Sequence, residues 1–350
     1  MDDSKIRDYE MNGDCMGCEK MDQCSVCDGL ISEDQLMRET CEITAEILGD
    51  YRKGRDIDSM KVFELPDQDK IVEIIDELMM ILLPGYYREK SYRTLTQERK
   101  IAVVLEDAMY RLRKQVEVAL MYDSKYEDMK RVDRKNIAQQ IVLRFFRQIP
   151  KVREYLDTDI QATFEGDPAA NSKDEIVLSY PGLYAIAVYR LAHELLLLNV
   201  PLIPRMMTEY AHGKTGVDIH PGATIGKYFC IDHATGIVIG STSIIGNHVK
   251  VYQGVTIGAL STKEGQKMHG KRRHPTIEDN VTLYSGASVL GGKTVIGEGA
   301  VIGGNAFVTK SVEPYTTVTV KTNETQYDRE SHKMKESKEL EQDEAWFYVI

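Results

Sequence analysis

A branched aliphatic residue returns every six positions between Gly216 and Val308. A period of six fits neither the helical repeat of about 3.6 residues nor the alternation of a single hairpin, but it is typical of a parallel β-helix. One coil cannot bury its own apolar face, so about five coils are predicted to stack around a continuous aliphatic core. The repeating positions are Ile219, Ile225, Ile231 and Ile237, then Ile239, Ile245, Val251 and Ile257 offset by two, and after an insertion Ile277, Leu283, Val289, Val295, Ile296, Ile302 and Val308.

Helical spacing replaces this pattern from about residue 32 to residue 207. One predicted helix ends at Pro84-Gly85, a second begins at a cap on Thr96, and a third ends near Pro150. These helices are predicted to form a bundle whose role is packing and subunit assembly. Their apolar faces are Ile71, Ile74, Ile75, Leu78 and Leu82 in the first, Leu105, Met109, Leu112, Val116 and Leu120 in the second, and Ile137, Ile141 and Phe145 in the third.

The patterns together predict an α+β chain of four parts. A cysteine-rich arm at 1–30 precedes an α-helical domain at 31–215, the β-helix occupies 216–318, and a charged, flexible tail at 319–350 ends in Ile350. Of the 350 residues, 42% are hydrophobic, which is enough for a sizeable core, and the net charge of -11 argues against a general nucleic-acid binder. The start of the chain lacks a basic leader, and no apolar run approaches the length of a bilayer span, so we expect a cytoplasmic protein.

The cysteines are unevenly distributed. Four of them form a C-x2-C-x5-C-x2-C pattern at Cys15, Cys18, Cys24 and Cys27. In a reducing compartment such pairs are typical of thiolate ligands, with zinc as the simplest occupant and an iron-sulfur cluster as the alternative. A redox-labile arm without metal is the competing interpretation. Cys41 and Cys230 stand alone, and Cys230 is interpreted as a small buried residue rather than a nucleophile.

Several short motifs lie on or beside the predicted β-helix: Asp167-Pro168-Ala169, Gly216-Val217-Asp218-Ile219-His220-Pro221, Asp232-His233-Ala234-Thr235-Gly236 and Arg272-Arg273-His274-Pro275. Together with Asp159-Ile160-Gln161-Ala162 and Tyr189-Arg190-Leu191-Ala192-His193, they resemble the serine acetyltransferase family from about Asp159 to Thr317. The resemblance implies a left-handed β-helix. It also implies transfer of an acetyl group from acetyl-CoA to the hydroxyl of L-serine, the first step of cysteine biosynthesis from serine.

Acetyl transfer from a thioester to an alcohol needs a base for the hydroxyl proton and an acid for the departing thiolate, and one histidine can do both in turn. His233 directly follows Asp232, and Asp218 lies fifteen residues earlier, nearly one coil of about eighteen. An aspartate at that level could orient the imidazole. The resemblance makes His233 the general base and Asp218 its orienting partner, whereas without the motif His233 would be an ordinary turn residue.

Serine is a zwitterion, so its site needs carboxylates for the ammonium and a guanidinium for the carboxylate. The resemblance implies that Asp167 and Asp232 contact the amino group and that Arg273 contacts the carboxylate. It also implies that His274 completes the catalytic pocket, near the oxyanion or the hydroxyl. Arg273 could instead be one more charge in a basic loop.

The loop from Ala259 to Thr276 is strongly basic, so it could bind the phosphates of CoA or simply be solvated. Residues that resemble the family's pantetheine groove are Gly258, Ala259, Gly286, Ala287, Gly304 and Lys310. The sequence departs from the family pattern at Ser241, where a glutamate is usual, at Tyr284 and Ser285, at Asn305 and Ala306, and in the length of the loop.

An abrupt apolar segment, 345–350, closes the charged tail. Family members that bind O-acetylserine sulfhydrylase end in isoleucine, so Ile350 is predicted to bind that partner, although the segment could also fold back on its own helices. The resemblance further implies trimers with active sites at subunit boundaries, and often hexamers.

Three other functions stay open at this point. The chain could acetylate another hydroxyl substrate, such as a sugar or an antibiotic. It could act mainly as a regulatory subunit of the sulfhydrylase. A zinc hydro-lyase of the carbonic anhydrase type would need three converging histidines, for which His233, His248 and His274 are available.

Overall fold

The computed structural model describes residues 32–58, 65–87 and 97–320. They belong to two compact units, one within Met1–Phe63 and the other within Glu64–Ile350. The four clustered cysteines, the Thr96 cap and Ile350 lie outside the described residues, so the predictions made for them remain predictions.

The first unit contains helix α1, Glu33–Tyr51. Ser32 caps it, because its hydroxyl oxygen accepts a hydrogen bond of 3.2 Å from the amide of Gln35. None of the residues of α1 is buried.

In the described part of the second unit, seven α-helices precede the strands: α2 Gln68–Leu82, α3 Gln97–Ala119, α4 Arg131–Phe146, α5 Ile149–Gly166, α6 Lys173–Ser179, α7 Pro181–Leu197 and α8 Ile203–Thr215. A 3-10 turn, Leu120–Tyr122, extends α3. The predicted face of α2 is entirely buried, while Leu105 and Met109 on α3 are only half-buried. Pro150 lies in the first turn of α5, where its missing amide hydrogen has no helical partner to lose. No helix in the described ranges could cross a bilayer.

The strands form three parallel sheets, in the orders β1-β4-β7-β10-β13, β11-β8-β5-β2 and β14-β12-β9-β6-β3. The chain therefore winds around a prism of about five coils, and the predicted fold is confirmed. The strands are β1 Val217–Ile219, β2 Thr224–Ile225, β3 Cys230–Ile231, β4 Ile237–Ile239, β5 Ile244–Ile245, β6 Lys250–Val251, β7 Thr256–Gly258, β8 Thr276–Ile277, β9 Thr282–Leu283, β10 Ser288–Leu290, β11 Val295–Ile296, β12 Val301–Ile302, β13 Phe307–Val308 and β14 Thr317–Val318.

The coils depart in length from the basic coil of about eighteen residues, as the offset by two and the insertion in the aliphatic repeat indicated. Val217 pairs with Ile237, an advance of 20 residues, whereas Val238 pairs with Thr256, an advance of 18. The next coil includes the basic loop, so Thr256 pairs with Ser288, an advance of 32. The two additional residues of the first coil explain the offset by two between the first two aliphatic series.

A buried ion pair joins the helices to the first coil. Arg190 on α7 donates to both carboxylate oxygens of Asp159 on α5, at 2.6 and 2.7 Å, and to the carbonyl of Gly226 at 2.8 Å. Asp159 also accepts a hydrogen bond of 2.9 Å from the amide of Phe229. Because every charge here has a partner, the pair can remain in the interior. These two motif residues therefore hold the helices against the β-helix.

Candidate active site

The turn 232–236 between β3 and β4 projects His233 from the β-helix. Its residues His233, Ala234, Thr235 and Gly236 have φ angles of 60, 62, 25 and 72°. Left-handed backbone at successive residues other than glycine costs on the order of 1 kcal/mol each, and such strain is common at functional sites. Ala234 is buried and anchors the turn in the core, while the His233 side chain remains 50% exposed.

Two carboxylates lie beside this turn. The nearest distance from Asp232 to the His233 ring is 3.8 Å, between Oδ1 and Nε2. Asp167, which follows α5, accepts a hydrogen bond of 2.5 Å from the Tyr180 hydroxyl and one of 2.8 Å from the amide of Ala169. The hydrogen bond from Tyr180 in particular holds the pKa of Asp167 below its usual value, and the amide of Ala169 acts in the same direction. Asp167 is therefore ionised at neutral pH.

Lys250 on β6 is a neighbour of these carboxylates that the motifs did not indicate. Its ammonium lies 3.1 Å from Oδ2 of Asp232 and donates a hydrogen bond of 2.5 Å to the carbonyl of Gly166, the residue before Asp167. The strand pairing accounts for its position, because Lys250 pairs with Cys230 one coil earlier, two residues before Asp232.

Asp218 lies on β1, close to the turn that carries His233. The preceding Gly216 packs so tightly against that turn that an added Cβ would come within 3.1 Å of the Thr235 Cα atom. The Asp218 carboxylate, however, accepts a hydrogen bond of 3.1 Å from Arg205 on α8. Among the described contacts, no hydrogen bond or ion pair links Asp218 to His233, so the orienting role of Asp218 remains a prediction.

His274 occupies a different corner, between β7 and β8, where the basic loop rejoins the coil. Thr242 binds this segment in three ways: its hydroxyl oxygen accepts from the amides of Arg273 at 3.0 Å and His274 at 3.1 Å, and its own amide donates to the His274 ring Nδ1 at 3.0 Å. The ring packs directly on Gly240, where an added Cβ would overlap it. The imidazole is therefore held in one position.

The His274 ring is a neutral hydrogen-bond donor. Burial lowers its pKa to about 4, and the nearby Arg273 and His220 act in the same direction. Since Nδ1 accepts the Thr242 amide, the proton of the neutral ring must be assigned to Nε2. A donor of this kind can stabilise developing negative charge but is a poor base at neutral pH.

Arg273 lies beside His274. Its guanidinium donates hydrogen bonds to the Ser241 hydroxyl at 2.8 Å and to the Lys271 carbonyl at 3.4 Å. Both partners are neutral, and the described residues include no carboxylate that pairs with Arg273. Ser241 was a departure from the family pattern, and here it leaves the Arg273 charge available for an anionic ligand.

The three candidate histidines stand at three corners of the prism. His233 lies between β3 and β4, His274 between β7 and β8, and His248 between β5 and β6, where it stacks on Tyr228 at 4.1 Å between ring centroids. A single chain therefore does not bring the three rings together. The same separation applies to the pair formed by His233 and His274.

The six residues predicted to bind CoA divide between the same two corners. Gly286, Ala287 and Gly304 follow β9 and β12 on the His233 side, whereas Gly258 ends β7 and Ala259 and Lys310 follow β7 and β13 on the His274 side. Ala287 is fully buried and its amide donates to Tyr284, so a ligand could reach neither its side chain nor its amide hydrogen.

Aromatic rings extend the His233 corner along the coils. The ring of Tyr252 lies 6.2 Å from that of His233 and stacks on that of Tyr284 at 5.0 Å, between centroids. Cys230 is buried nearby, and burial raises the pKa of its thiol to about 11. It is therefore protonated at neutral pH, which agrees with its interpretation as a small buried residue rather than a nucleophile.

Comparisons with known proteins give a consistent result. Residues 87–188 match the family described as serine acetyltransferase, N-terminal. The chain is 38% identical over 238 residues to "Serine acetyltransferase, plasmid" of Synechococcus elongatus, an alignment that spans 66% of this chain and 75% of the relative. It is 47% identical over 132 residues to a serine acetyltransferase of Mycobacterium tuberculosis, spanning 38% of this chain and 55% of that protein.

Solved structures of similar fold include two from Entamoeba histolytica. Serine acetyltransferase isoform 3, in complex with cysteine, has a TM-score of 0.62 at 32% identity and covers 73% of this chain and 84% of its own. Serine acetyltransferase 1, in complex with L-cysteine, has a TM-score of 0.62 at 34% identity, and the match covers 70% of this chain and 86% of that protein.

The β-helix and these relatives together define an acyltransferase built on a parallel β-helix. Within that class, the chain belongs to the serine acetyltransferase family.

Proposed function

We propose that this enzyme transfers the acetyl group of acetyl-CoA to the hydroxyl of L-serine and releases O-acetyl-L-serine and CoA. The observation that carries the proposal is the His233 turn, a strained segment that exposes one imidazole beside the carboxylates of Asp232 and Asp167. Those carboxylates can bind the ammonium group of the substrate, and the imidazole can accept its hydroxyl proton.

The reaction proceeds by direct transfer. His233 accepts the hydroxyl proton while the serine oxygen forms a bond to the thioester carbonyl carbon, which gives a tetrahedral intermediate. The carbon-sulfur bond then breaks, and the protonated His233 returns the proton to the CoA thiolate. Asp218 orients the imidazole once its carboxylate turns from Arg205. No covalent enzyme intermediate is needed, which agrees with the buried, protonated thiol of Cys230.

The second corner binds rather than reacts. Arg273 contacts the serine carboxylate, and Nε2–H of His274 donates to the substrate oxygen or the oxyanion. Because His233 and His274 stand at different corners of one chain, the complete site requires two subunits, the His233 corner of one and the His274 corner of the other. Trimers formed through the β-helices would supply this arrangement, with hexamers as a further assembly.

Acetyl-CoA lies in the same cleft between subunits. Gly258, Ala259, Gly286, Gly304 and Lys310 line its pantetheine arm, and small residues let that arm approach the backbone. The basic loop approaches its phosphates.

A substrate panel tests the proposal. Consumption of acetyl-CoA by the purified protein is measured with L-serine and, as matched controls, with D-serine, ethanolamine, 3-hydroxypropionate and a sugar alcohol. L-Serine should be preferred by at least about a hundredfold in kcat/KM, since each control lacks or misplaces a charged group that the site pairs. A preference for the sugar alcohol would assign the chain to another hydroxyl substrate.

We further propose that Ile350 binds the active site of an O-acetylserine sulfhydrylase through its terminal carboxylate. Deletion of Ile350 should abolish binding to that partner and leave serine acetylation unchanged, and undiminished affinity would contradict the proposal. If the chain were mainly a regulatory subunit, its binding would change the activity of the sulfhydrylase, while its own acetyl-transfer activity would be negligible.

The cysteine cluster is proposed to hold a structural metal, zinc or an iron-sulfur cluster, through Cys15, Cys18, Cys24 and Cys27. Metal analysis of the purified protein, compared with a Cys15→Ser/Cys18→Ser variant, tests it. Equal metal content in the two proteins would exclude the site.

A further inference from the structure

Lys250 is an ammonium group placed among the acceptors that the proposed function assigns to the substrate's amino group. Its Nζ atom lies 3.1 Å from Oδ2 of Asp232, donates to the carbonyl of Gly166 at 2.5 Å, and lies 4.6 Å from the centre of the Tyr252 ring. The Lys250 side chain is only 18% exposed, so these contacts are partly shielded from water.

The protonated state of Lys250 follows from its surroundings. Burial alone would lower its pKa, but hydrogen bonds with Tyr252 and Asp232 outweigh burial, and the pKa is raised from its ordinary value. Lys250 therefore carries a full positive charge. A lysine ammonium and an α-amino group are the same kind of donor, each a compact cation with three N–H groups.

In the proposed complex, the substrate's ammonium and Lys250 compete for the same carboxylate, that of Asp232. Asp167 and Asp232 contribute two negative charges, and Lys250 already balances one of them. A second ammonium on Asp232 would lie within a few ångströms of Nζ, and the two like charges would repel each other strongly in this partly buried position. One of the two cations must therefore move.

Lys250 is the group that can move. Its long, flexible stem can rotate toward solvent, whereas Asp232 and Asp167 are fixed by the coil and by the end of α5. The carbonyl of Gly166, one of the last in α5, retains the field of the helix C-terminus that attracts a cation. The position that Lys250 leaves is therefore complementary to an incoming ammonium.

We propose that Lys250 is a specificity-determining residue that occupies the ammonium subsite of the empty enzyme and is displaced by the amino group of the substrate. The inference rests on the proposed use of L-serine. Its consequence is a serine affinity that is weaker than the two carboxylates alone would give. Substrates without an amino group cannot displace Lys250 and are excluded.

The test compares Lys250→Met with wild type and with Lys151→Met. Lys151 is the matched control, because it forms an ion pair of 2.8 Å with Glu194 away from the His233 turn. We expect Lys250→Met to lower the KM for L-serine and its calorimetric Kd about tenfold, the scale of one lost competing contact, with little change in kcat or in the KM for acetyl-CoA. Lys151→Met should leave all these values near wild type.

Opposite outcomes separate the alternatives. A KM for L-serine that rises in Lys250→Met would mean that Lys250 supports Asp232 instead of competing for it, and an unchanged KM and Kd would likewise overturn the inference. Lys250→Gln, which keeps a polar side chain, should give the same decrease if the methionine variant folds poorly. If wild-type enzyme failed to acetylate L-serine at all, the proposed function would fail. The calorimetric Kd with L-serine would then still report on the displacement.

Discussion

The two corners of the β-helix that carry His233 and His274 use the same side chain in opposite environments. His233 stands on a left-handed turn with half of its side chain exposed, and its ring nitrogen lies 3.8 Å from the nearest oxygen of Asp232. His274 is 7% exposed, and its Nδ1 accepts a hydrogen bond from the backbone of Thr242. An exposed imidazole can exchange a proton during a reaction, whereas a buried one with a fixed tautomer can only donate. Burial and hydrogen bonding thus assign different roles to two identical residues.

The largest effect that would separate the corners is expected from His233→Asn, with His248→Asn as the control. Both histidines have positive φ, at 60 and 55°, and asparagine tolerates this backbone better than most residues, so strain is matched in the two variants. Loss of the proton acceptor should reduce kcat by about a hundredfold to ten-thousandfold. Acetyl transfer measured with L-serine should stay within about twofold of wild type in His248→Asn, since that residue stacks on Tyr228 at another corner. Similar activity in the two variants would remove His233 from the mechanism.

A second effect concerns the pH dependence of stability at the His274 corner. Its pKa is about 4 in the folded protein against 6.5 for a free histidine, so the unfolded chain takes up this proton first as the pH falls. The contribution of the neutral ring to the free energy of unfolding is complete above about pH 6.5 and is lost as the pH falls from about 6.5 to about 4. At about pH 5 the loss should be on the order of 2 kcal/mol. Urea unfolding at several pH values should show this decrease in wild type.

The variant His274→Asn should lack that part of the slope. His269→Asn is the control, because His269 lies on the same loop but is exposed. An identical pH dependence in wild type and His274→Asn would show that the ring is not held neutral by folding.

A smaller effect is expected from Arg273→Lys, compared with the neighbouring Arg272→Lys. Within the described ranges, the guanidinium of Arg273 has only neutral partners, the Ser241 hydroxyl and the Lys271 carbonyl. It can form two parallel hydrogen bonds to a carboxylate. Lysine cannot reproduce that geometry, so the KM for L-serine should rise about tenfold while kcat changes little. Arg272 is exposed and donates to Thr276, and its replacement should leave KM unchanged. A decrease confined to kcat would mean that Arg273 acts in the chemical step rather than in binding.

The repeat predicted the fold well because each coil buries its aliphatic residue by local pairing. Ile219, Ile239, Ile257 and Val289 all lie in the core of one sheet, as the period required. The offset by two between the aliphatic series was also visible in the sequence, but only the strand register showed that the additional residues form the His233 turn.

Contacts of charged side chains were less predictable. Asp218 was expected beside His233, yet its carboxylate hydrogen-bonds to Arg205, a residue of α8 that no motif indicated. Lys250 was not singled out at all, although it contacts Asp232 directly. Long charged side chains choose among several partners of similar energy, and this choice depends on where the helices pack against the coils.

The sequence by itself determined the β-helix, the order of its sides and the residue types at its corners. The reason is that stacked coils of a parallel β-helix bury an apolar residue at every sixth position. Only the tertiary structure decided which corner each histidine occupies, how deeply it is buried and which cation accompanies the carboxylates. Those properties depend on coil length and on the packing of α5, α7 and α8 against the first coil, which join residues far apart in the chain.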